Sequence, residues 1–163
     1  MLYQDDKRKC TAAKLLRFGL IHRVRSPRSN MIILNPFSKK VLSKSDKTIS
    51  KHICAIDCSW NIASTSFDNY LNFRTNSRRL PLLLAGNPVN YSKLGKLSTV
   101  EALAGGYLLL GEDEYALSLL SKFKWGNTFL ALNSDVIKDY ANAKNSEEIE
   151  LLETEYFNEY IGS

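Results

Sequence analysis

One acidic segment of this chain follows an apolar run, an arrangement that ligand sites often use. Residues 53–56 are apolar, and Asp57, Cys58, Ser59 and Trp60 follow them directly. An acid at the end of a buried strand is costly without a partner, so such acids are enriched at ligand sites. Asp57 is therefore a candidate acid or base, with capping of the next turn as the simpler alternative.

In a second segment, residues 80–102, an apolar run is again followed directly by polar residues. An apolar run from Leu80 ends at Asn87-Pro88, and Ser98 with Glu101 forms a capping-box pattern that predicts the start of a helix. Proline fixes its own φ and restricts Asn87, so the turn is rigid. We expect a buried strand, a loop and a helix N-terminus facing a ligand, as in α/β proteins.

Positive and negative charges are distributed unevenly along the chain, with the first part basic and the second part acidic. Residues 1–99 contain 18 Lys and Arg against 5 Asp and Glu, whereas residues 100–163 contain 4 against 12. A basic region of this size can bind a polyanion through phosphate contacts. A merely solvated lysine surface is the alternative, but the asymmetry favours one docking face and RNA as the partner.

Composition narrows the class of protein. With 163 residues and 44% hydrophobic residues, the chain can bury a real core, and it contains no apolar run long enough to span a membrane. We expect a soluble, cytoplasmic protein. Cys10, Cys54 and Cys58 match no usual zinc spacing, so no metal site is predicted.

The pattern of apolar residues predicts an α/β fold with a helical C-terminal part. We expect Thr11 to cap a helix over 12–18, short strands at 2–4, 31–34 and 52–56, a turn with a short helix within 39–51, and a helix over 61–70. Helices are predicted over 102–110, 112–123, 135–143 and 146–160. The last has Ile149, Leu152, Tyr156 and Tyr160 on one side. We place an N-terminal α/β domain at 1–84 and a mainly helical domain at 85–163.

Four motifs, in this order, resemble those of one family. They are the lysine-rich segment 6–15, the Asp-Cys-Ser-Trp motif at 57–60, the block from Asn87 to Ala102, and the segment 122–129. The chain resembles the small-subunit ribosomal RNA aminocarboxypropyltransferases, over roughly residues 3–140. This resemblance implies a SPOUT-like parallel sheet with a deep trefoil knot, in which the helical C-terminal part completes the knot and the cofactor pocket.

The resemblance also implies a reaction. Such enzymes transfer the 3-amino-3-carboxypropyl group of S-adenosylmethionine, without a metal, to N3 of a uridine-type base in small-subunit rRNA, in relatives an N1-methylpseudouridine. Methylthioadenosine is released. The implied partner is the rRNA of the pre-ribosomal small subunit, and this family looks monomeric. Two alternatives stay open: a SPOUT methyltransferase acting on RNA, and a non-catalytic RNA-binding assembly factor.

Seven site residues are carried over from the matched motifs. The main chain of Ile56 would meet the ribose, and the main chain at Leu80 and Gly95 would hold the adenine. The remaining four are the hydroxyls of Thr11 and Thr99 on the transferred group, Trp60 as the wall of the methyl pocket, and Asp57 as the base. The alternative roles are N-capping for the threonines, a core position for Trp60, and positioning of the nucleobase or of the Trp60 loop for Asp57. At Gly95 many relatives have a bulkier residue.

Six basic residues that cluster before the ligand loop are plausible contacts for RNA phosphates. Each of them could instead be a solvated surface charge, but the group favours RNA. The target base would have to be unpaired or flipped out, since N3 is engaged in pairing within a helix. The six residues are Lys14, Lys47, Lys51, Arg74, Arg78 and Arg79.

Overall fold

The computed structural model describes residues 10–56 and 76–161. Asp57, Trp60 and Arg74 lie outside this part of the chain, as do the strand predicted at 2–4 and the helix predicted over 61–70. In the described part, a small parallel sheet is followed by a set of helices that occupies most of the chain after residue 98.

The sheet has three parallel strands in the order β2-β1-β3. Strand β1 is Ile32–Leu34, β2 is Ile53–Ala55 and β3 is Ser77–Arg78. The register pairs Leu34 of β1 with Ala55 of β2 and with Arg78 of β3, so the carboxyl ends of all three strands meet at one edge. A 3₁₀ helix, Lys44–Thr48, lies between β1 and β2. The predicted strands at 31–34 and 52–56 and the short helix within 39–51 are confirmed.

The strand expected in the apolar run from Leu80 is wrong, because the run forms only an isolated antiparallel bridge, Leu84 with Leu94, within the described residues. Side chains from later helices supply further partners. The amide of Leu82 donates to Glu153 Oε1 at 2.8 Å, and the carbonyl of Leu82 accepts from the Tyr140 hydroxyl at 3.0 Å. The side-chain amide of Asn133 bonds both the N–H and the C=O of Leu84, each at 2.8 Å. This extended run alternates between half-buried and buried residues and lies outside the three-stranded sheet, and β3 is the polar segment before it.

Five α-helices lie within residues 10–56 and 76–161. Helix α1 is Thr11–Arg17, α2 is Thr99–Leu109, α3 is Asp113–Leu120, α4 is Gly126–Asn142 and α5 is Ser146–Ile161. The helices predicted after residue 98 are all present, although α4 begins nine residues before the predicted start at 135. None of the helices in ranges 10–56 and 76–161 is long and apolar enough to cross a membrane.

One main core joins the two parts of the chain. It contains Leu15 of α1, Leu83 of the extended run, Leu103 of α2, Phe129 of α4 and Ile149 of α5, all of them buried. A smaller cluster under the sheet is formed by Ile32, Leu34, Leu42 and Leu110. These contacts place an α/β sheet and the C-terminal helices against each other. The division at residues 84 and 85 stays a prediction.

Helix α5 buries only part of the predicted stripe, since Ile149 and Leu152 belong to or pack against the main core but the two tyrosines do not. Ile149 and Phe157 are buried, and between them Glu153 is only 5% exposed, whereas Tyr156 and Tyr160 are largely exposed. Residues 149, 153 and 157 are spaced by four and therefore share one face. A glutamate at the centre of that face was not expected, because carboxylates are rarely buried without a partner. Its partner is Arg79.

Candidate functional site

A cavity of about 240 Å³ lies where the carboxyl ends of β1 and β2 meet the start of α2. Ligands of parallel α/β sheets bind outside these strand ends. The wall is largely apolar, and the N-terminus of α2 contributes its first residues to it. The lining consists of residues 34–36, 55–56, 79–82, 95, 97–99 and 102.

The loop over 86–98 is closed by the carboxylate of Glu101, which is fully buried. Its Oε1 accepts from the amides of Gly86 at 2.6 Å and Asn87 at 3.0 Å. Its Oε2 accepts from the Asn87 side-chain amide at 2.8 Å, and from the Ser98 amide at 2.7 Å and hydroxyl at 2.8 Å. The predicted capping box of Ser98 and Glu101 is confirmed. Glu101 also joins both ends of the loop that supplies one wall of the cavity.

Gly86 allows this loop to pack against α4. A Cβ at residue 86 would lie 2.5 Å from the backbone nitrogen of Phe129 and 2.6 Å from its Cα, which real side chains do not tolerate. Gly95 is glycine for another reason, because its φ of +73° lies in the left-handed region. A Cβ at Gly95 would meet no heavy atom within 4 Å.

The predicted cofactor residues lie close together where the structure describes them. Ile56, Leu80, Gly95 and Thr99 all line the cavity. The prediction that Thr11 caps α1 is wrong, because the helix begins at Thr11 itself. The Thr11 hydroxyl instead accepts from the Val100 amide at 3.2 Å, which puts it at the N-terminus of α2. Trp60 and Asp57 follow Ile56 in sequence but lie outside the described residues.

Arg79 is also on the cavity wall, where its guanidinium is paired with Glu153. The two Nη atoms donate to the two carboxylate oxygens at 2.7 and 2.8 Å, and Nη1 donates to the Leu80 carbonyl at 3.3 Å. The hydrogen bonds that Arg79 donates to Glu153 raise the pKa of Arg79 above its usual value. Such a two-point pair fixes the guanidinium geometrically.

The predicted phosphate contacts fall into two groups. Arg78 is 4% exposed and its Nε donates to Asp46 at 3.0 Å, so the structure argues against a role on the RNA surface. Arg79 is similarly held by Glu153. Lys51 is exposed, whereas Lys47 forms a partly exposed ion pair with Glu112 at 3.1 Å, and this pair lowers the pKa of Glu112. Lys14 lies 4.7 Å from the ring centre of Phe123.

Sequence reasoning missed three polar side chains that bond the backbone of the segment next to the cavity. Glu153, Tyr140 and Asn133 all bond the extended run that begins at Leu80, as described above. Burial, with the nearby Glu153 charge, raises the pKa of the Tyr140 hydroxyl, which keeps it a neutral donor. The one available signal was the spacing of Glu153 between Ile149 and Phe157, which places an acid on an apolar face.

The remaining titratable groups show little that suggests metal or thiol chemistry. Burial raises the pKa of the Cys54 thiol, which disfavours the reactive thiolate. Within residues 10–56 and 76–161, no three His, Cys, Asp or Glu side chains cluster as metal ligands would.

The chain matches one protein family over most of its length. The family described as "Ribosome biogenesis protein, C-terminal" matches residues 32–157. Several similar curated proteins are described as 16S rRNA aminocarboxypropyltransferases. The one from Methanococcoides burtonii is 38% identical over 156 residues, covering 94% of this chain and 90% of the relative. The one from Halobacterium salinarum is 42% identical over 154 residues, covering 93% and 90%.

A solved structure is similar to this one. It is described as the SAM-dependent rRNA:acp-transferase Tsr3 from Vulcanisaeta distributa, and it superposes with a TM-score of 0.81 at 40% sequence identity. The match covers 92% of this chain and 84% of that chain. Sequence and fold therefore point to the same group of proteins.

Proposed function

Because this chain belongs to the 16S rRNA aminocarboxypropyltransferase family, we propose that it transfers the 3-amino-3-carboxypropyl group of S-adenosylmethionine to small-subunit rRNA during ribosome biogenesis. The observation that carries the proposal is identity of about 40% over nearly the whole chain to relatives described by this activity. The cavity at the carboxyl ends of the strands is consistent with it. The family identified from the motifs is thus confirmed.

The cavity suits the parts of this cofactor. Its apolar wall fits an adenosine, and the positive end of the α2 helix dipole favours a carboxylate. When bound, S-adenosylmethionine supplies a carbon activated by its sulfonium sulfur, and cleavage of that carbon–sulfur bond leaves methylthioadenosine. The chain has to bind this donor so that the longer substituent, and not the methyl group, faces the nucleobase.

The residues that line the cavity suggest how the donor is held. We assign ribose contacts to the main chain of Ile56, and adenine contacts to the main chain at Leu80 and Gly95. A backbone contact at Gly95 requires no side chain there. The hydroxyls of Thr11 and Thr99 would hold the amino and carboxyl groups of the transferred portion, and their common location at the start of α2 supports this assignment.

Trp60 and Asp57 complete the proposed site. An indole at Trp60 would cover the methyl group, since its face is apolar and tolerates a positive charge. The acceptor is proposed to be N3 of a uridine-type base, such as N1-methylpseudouridine. This nitrogen carries a proton and is weakly nucleophilic, so Asp57 would accept the proton as the new carbon–nitrogen bond forms.

The finer features of the molecule remain part of the proposal. The resemblance supports a SPOUT-like sheet with a deep trefoil knot, a monomer, and work in the cytoplasm on the pre-ribosomal small subunit. For the rRNA surface we retain Lys14, Lys47, Lys51 and Arg74. We leave Arg78 and Arg79 out of it, because both are held by buried carboxylates, whereas the ion pair of Lys47 is partly exposed.

Transfer of label tests the reaction directly. The protein is incubated with small-subunit rRNA and S-adenosylmethionine carrying ¹⁴C either in the carboxyl group or in the methyl group. The proposal predicts that the rRNA acquires only the carboxyl label. Incorporation of the methyl label would identify a methyltransferase, and no binding of S-adenosylmethionine by calorimetry would identify a non-catalytic RNA-binding factor.

Two substitutions separate binding from chemistry at the proposed site. We expect Trp60→Ala to weaken binding of S-adenosylmethionine more than tenfold, equivalent to about 1.5 kcal/mol for loss of an aromatic wall. We expect Asp57→Ala to lower turnover more than affinity. Calorimetry and single-turnover kinetics measure the two effects. Unchanged affinity in the first variant, or wild-type turnover in the second, would remove that residue from the site.

A further inference from the structure

Arg79 is the one charged residue among the described residues that line the cavity. Its guanidinium keeps a permanent positive charge at any accessible pH. An arginine on the wall of an otherwise apolar cavity would favour anionic ligands and oppose cationic ones. The proposed donor is cationic overall, since a sulfonium and an ammonium group outweigh one carboxylate.

Glu153 offsets this charge from outside the cavity lining. It is 5% exposed, and both of its oxygens accept from Arg79, while Oε1 also accepts from the Leu82 amide. Leu82 and Arg79 both line the cavity. The carboxylate therefore fixes the wall and cancels its charge from a helix that itself contributes no lining residue.

We propose that Glu153 is a positioning residue for Arg79 whose negative charge makes the cavity acceptable to a positively charged sulfonium ligand. This inference rests on the proposed function, because it takes S-adenosylmethionine as the ligand. Glu150 is exposed on the same helix and contributes only a distant attraction to Arg79. The acidic C-terminal helix thus has a role in ligand selection besides its packing against the core.

The charge of the ligand provides the test, because methylthioadenosine shares the adenosine portion but is neutral. Calorimetry compares both ligands on the wild-type protein and on Glu153→Gln. We expect the variant to bind S-adenosylmethionine about five- to tenfold more weakly, from one uncancelled charge a few ångströms away in a partly shielded cavity. Methylthioadenosine should lose less than twofold. Glu155→Gln, an exposed change of the same type on the same helix, should alter neither affinity.

Equal losses for both ligands would overturn the inference, since they would indicate that Glu153 acts only on the shape of the wall. A wild-type protein that binds neither ligand would instead contradict the proposed function. The two failures are therefore distinguishable.

Two further variants keep the test decisive if Glu153→Gln does not fold. Arg79→Met leaves the carboxylate without its cation, so the preference for S-adenosylmethionine over methylthioadenosine should rise at least twofold. The double variant Arg79→Met/Glu153→Gln removes both charges and should restore the wild-type preference. An unchanged preference in Arg79→Met would contradict the proposal. Thermal unfolding of each variant shows that binding is measured on folded protein.

Discussion

At the scale of single residues, some contacts of Glu101 could be predicted from the sequence and others could not. Its spacing from Ser98 predicts the capping box that the structure contains. The same carboxylate also bonds Gly86 and Asn87, fifteen and fourteen residues earlier respectively. A local spacing rule can predict the contact with Ser98, because Ser98 and Glu101 lie within one helical turn. The same rule cannot predict the contacts with Gly86 and Asn87, because these depend on how the intervening loop closes.

The variant Glu101→Gln tests whether this carboxylate organises the cavity loop. All five bonding groups are donors, and a carboxylate accepts only, whereas an amide would place its own NH₂ against some of them. We expect the free energy of unfolding to fall by about 2 kcal/mol. At temperatures where the variant is still folded, its affinity for S-adenosylmethionine should be several-fold weaker than that of the wild type. Chemical denaturation and calorimetry measure these changes.

An exposed glutamate supplies the matched control for this prediction. Glu114→Gln removes the same charge from the exposed surface of α3 and should change stability by less than about 0.5 kcal/mol. Wild-type affinity in folded Glu101→Gln would show that the loop reaches its cavity geometry without the carboxylate.

At the scale of elements, the strands before Asn35 and Asp57 and most of the helices could be predicted. The apolar run from Leu80 could not, because its partners are the side chains of Asn133, Tyr140 and Glu153 on helices α4 and α5. An apolar pattern indicates burial but not the source of the hydrogen bonds. Side chains from fifty to seventy residues away carry no periodic signal.

The two loop glycines make different structural demands, and alanine substitution separates them. Gly95→Ala meets no neighbour but must adopt a positive φ, which costs about 1 kcal/mol. Gly86→Ala must push the loop away from the backbone of Phe129, and overpacking adds about 1–3 kcal/mol. We therefore expect Gly86→Ala to be the less stable variant in chemical denaturation. Equal stabilities would show that the loop and α4 are not in close contact.

At the scale of the whole molecule, the charge asymmetry has two consequences. The acidic C-terminal part is not only a repulsive surface, since Glu112 and Glu153 pair with Lys47 and Arg79 of the basic part. Composition could predict the asymmetry but not which cations are paired within the chain. The set of residues that we propose as RNA phosphate contacts is therefore smaller than the set predicted from the sequence.

Salt dependence separates surface cations from structural ones. Lys51→Ala should weaken binding of a small-subunit rRNA fragment and reduce the slope of log K against log salt by about one unit, with little effect on stability. Arg78→Met should leave Asp46 buried without its partner and lower the free energy of unfolding by about 3–5 kcal/mol. Fluorescence anisotropy and chemical denaturation measure the two effects. A stable Arg78→Met with a reduced salt slope would return Arg78 to the RNA surface.

The central claim is that the cavity presents the longer substituent of the sulfonium to the rRNA. The nucleoside released during turnover measures this most directly. The purified protein is incubated with S-adenosylmethionine and small-subunit rRNA, and the products are separated by chromatography and identified by mass. The account predicts methylthioadenosine in equal amount to the modified base, whereas S-adenosylhomocysteine in that amount would contradict it.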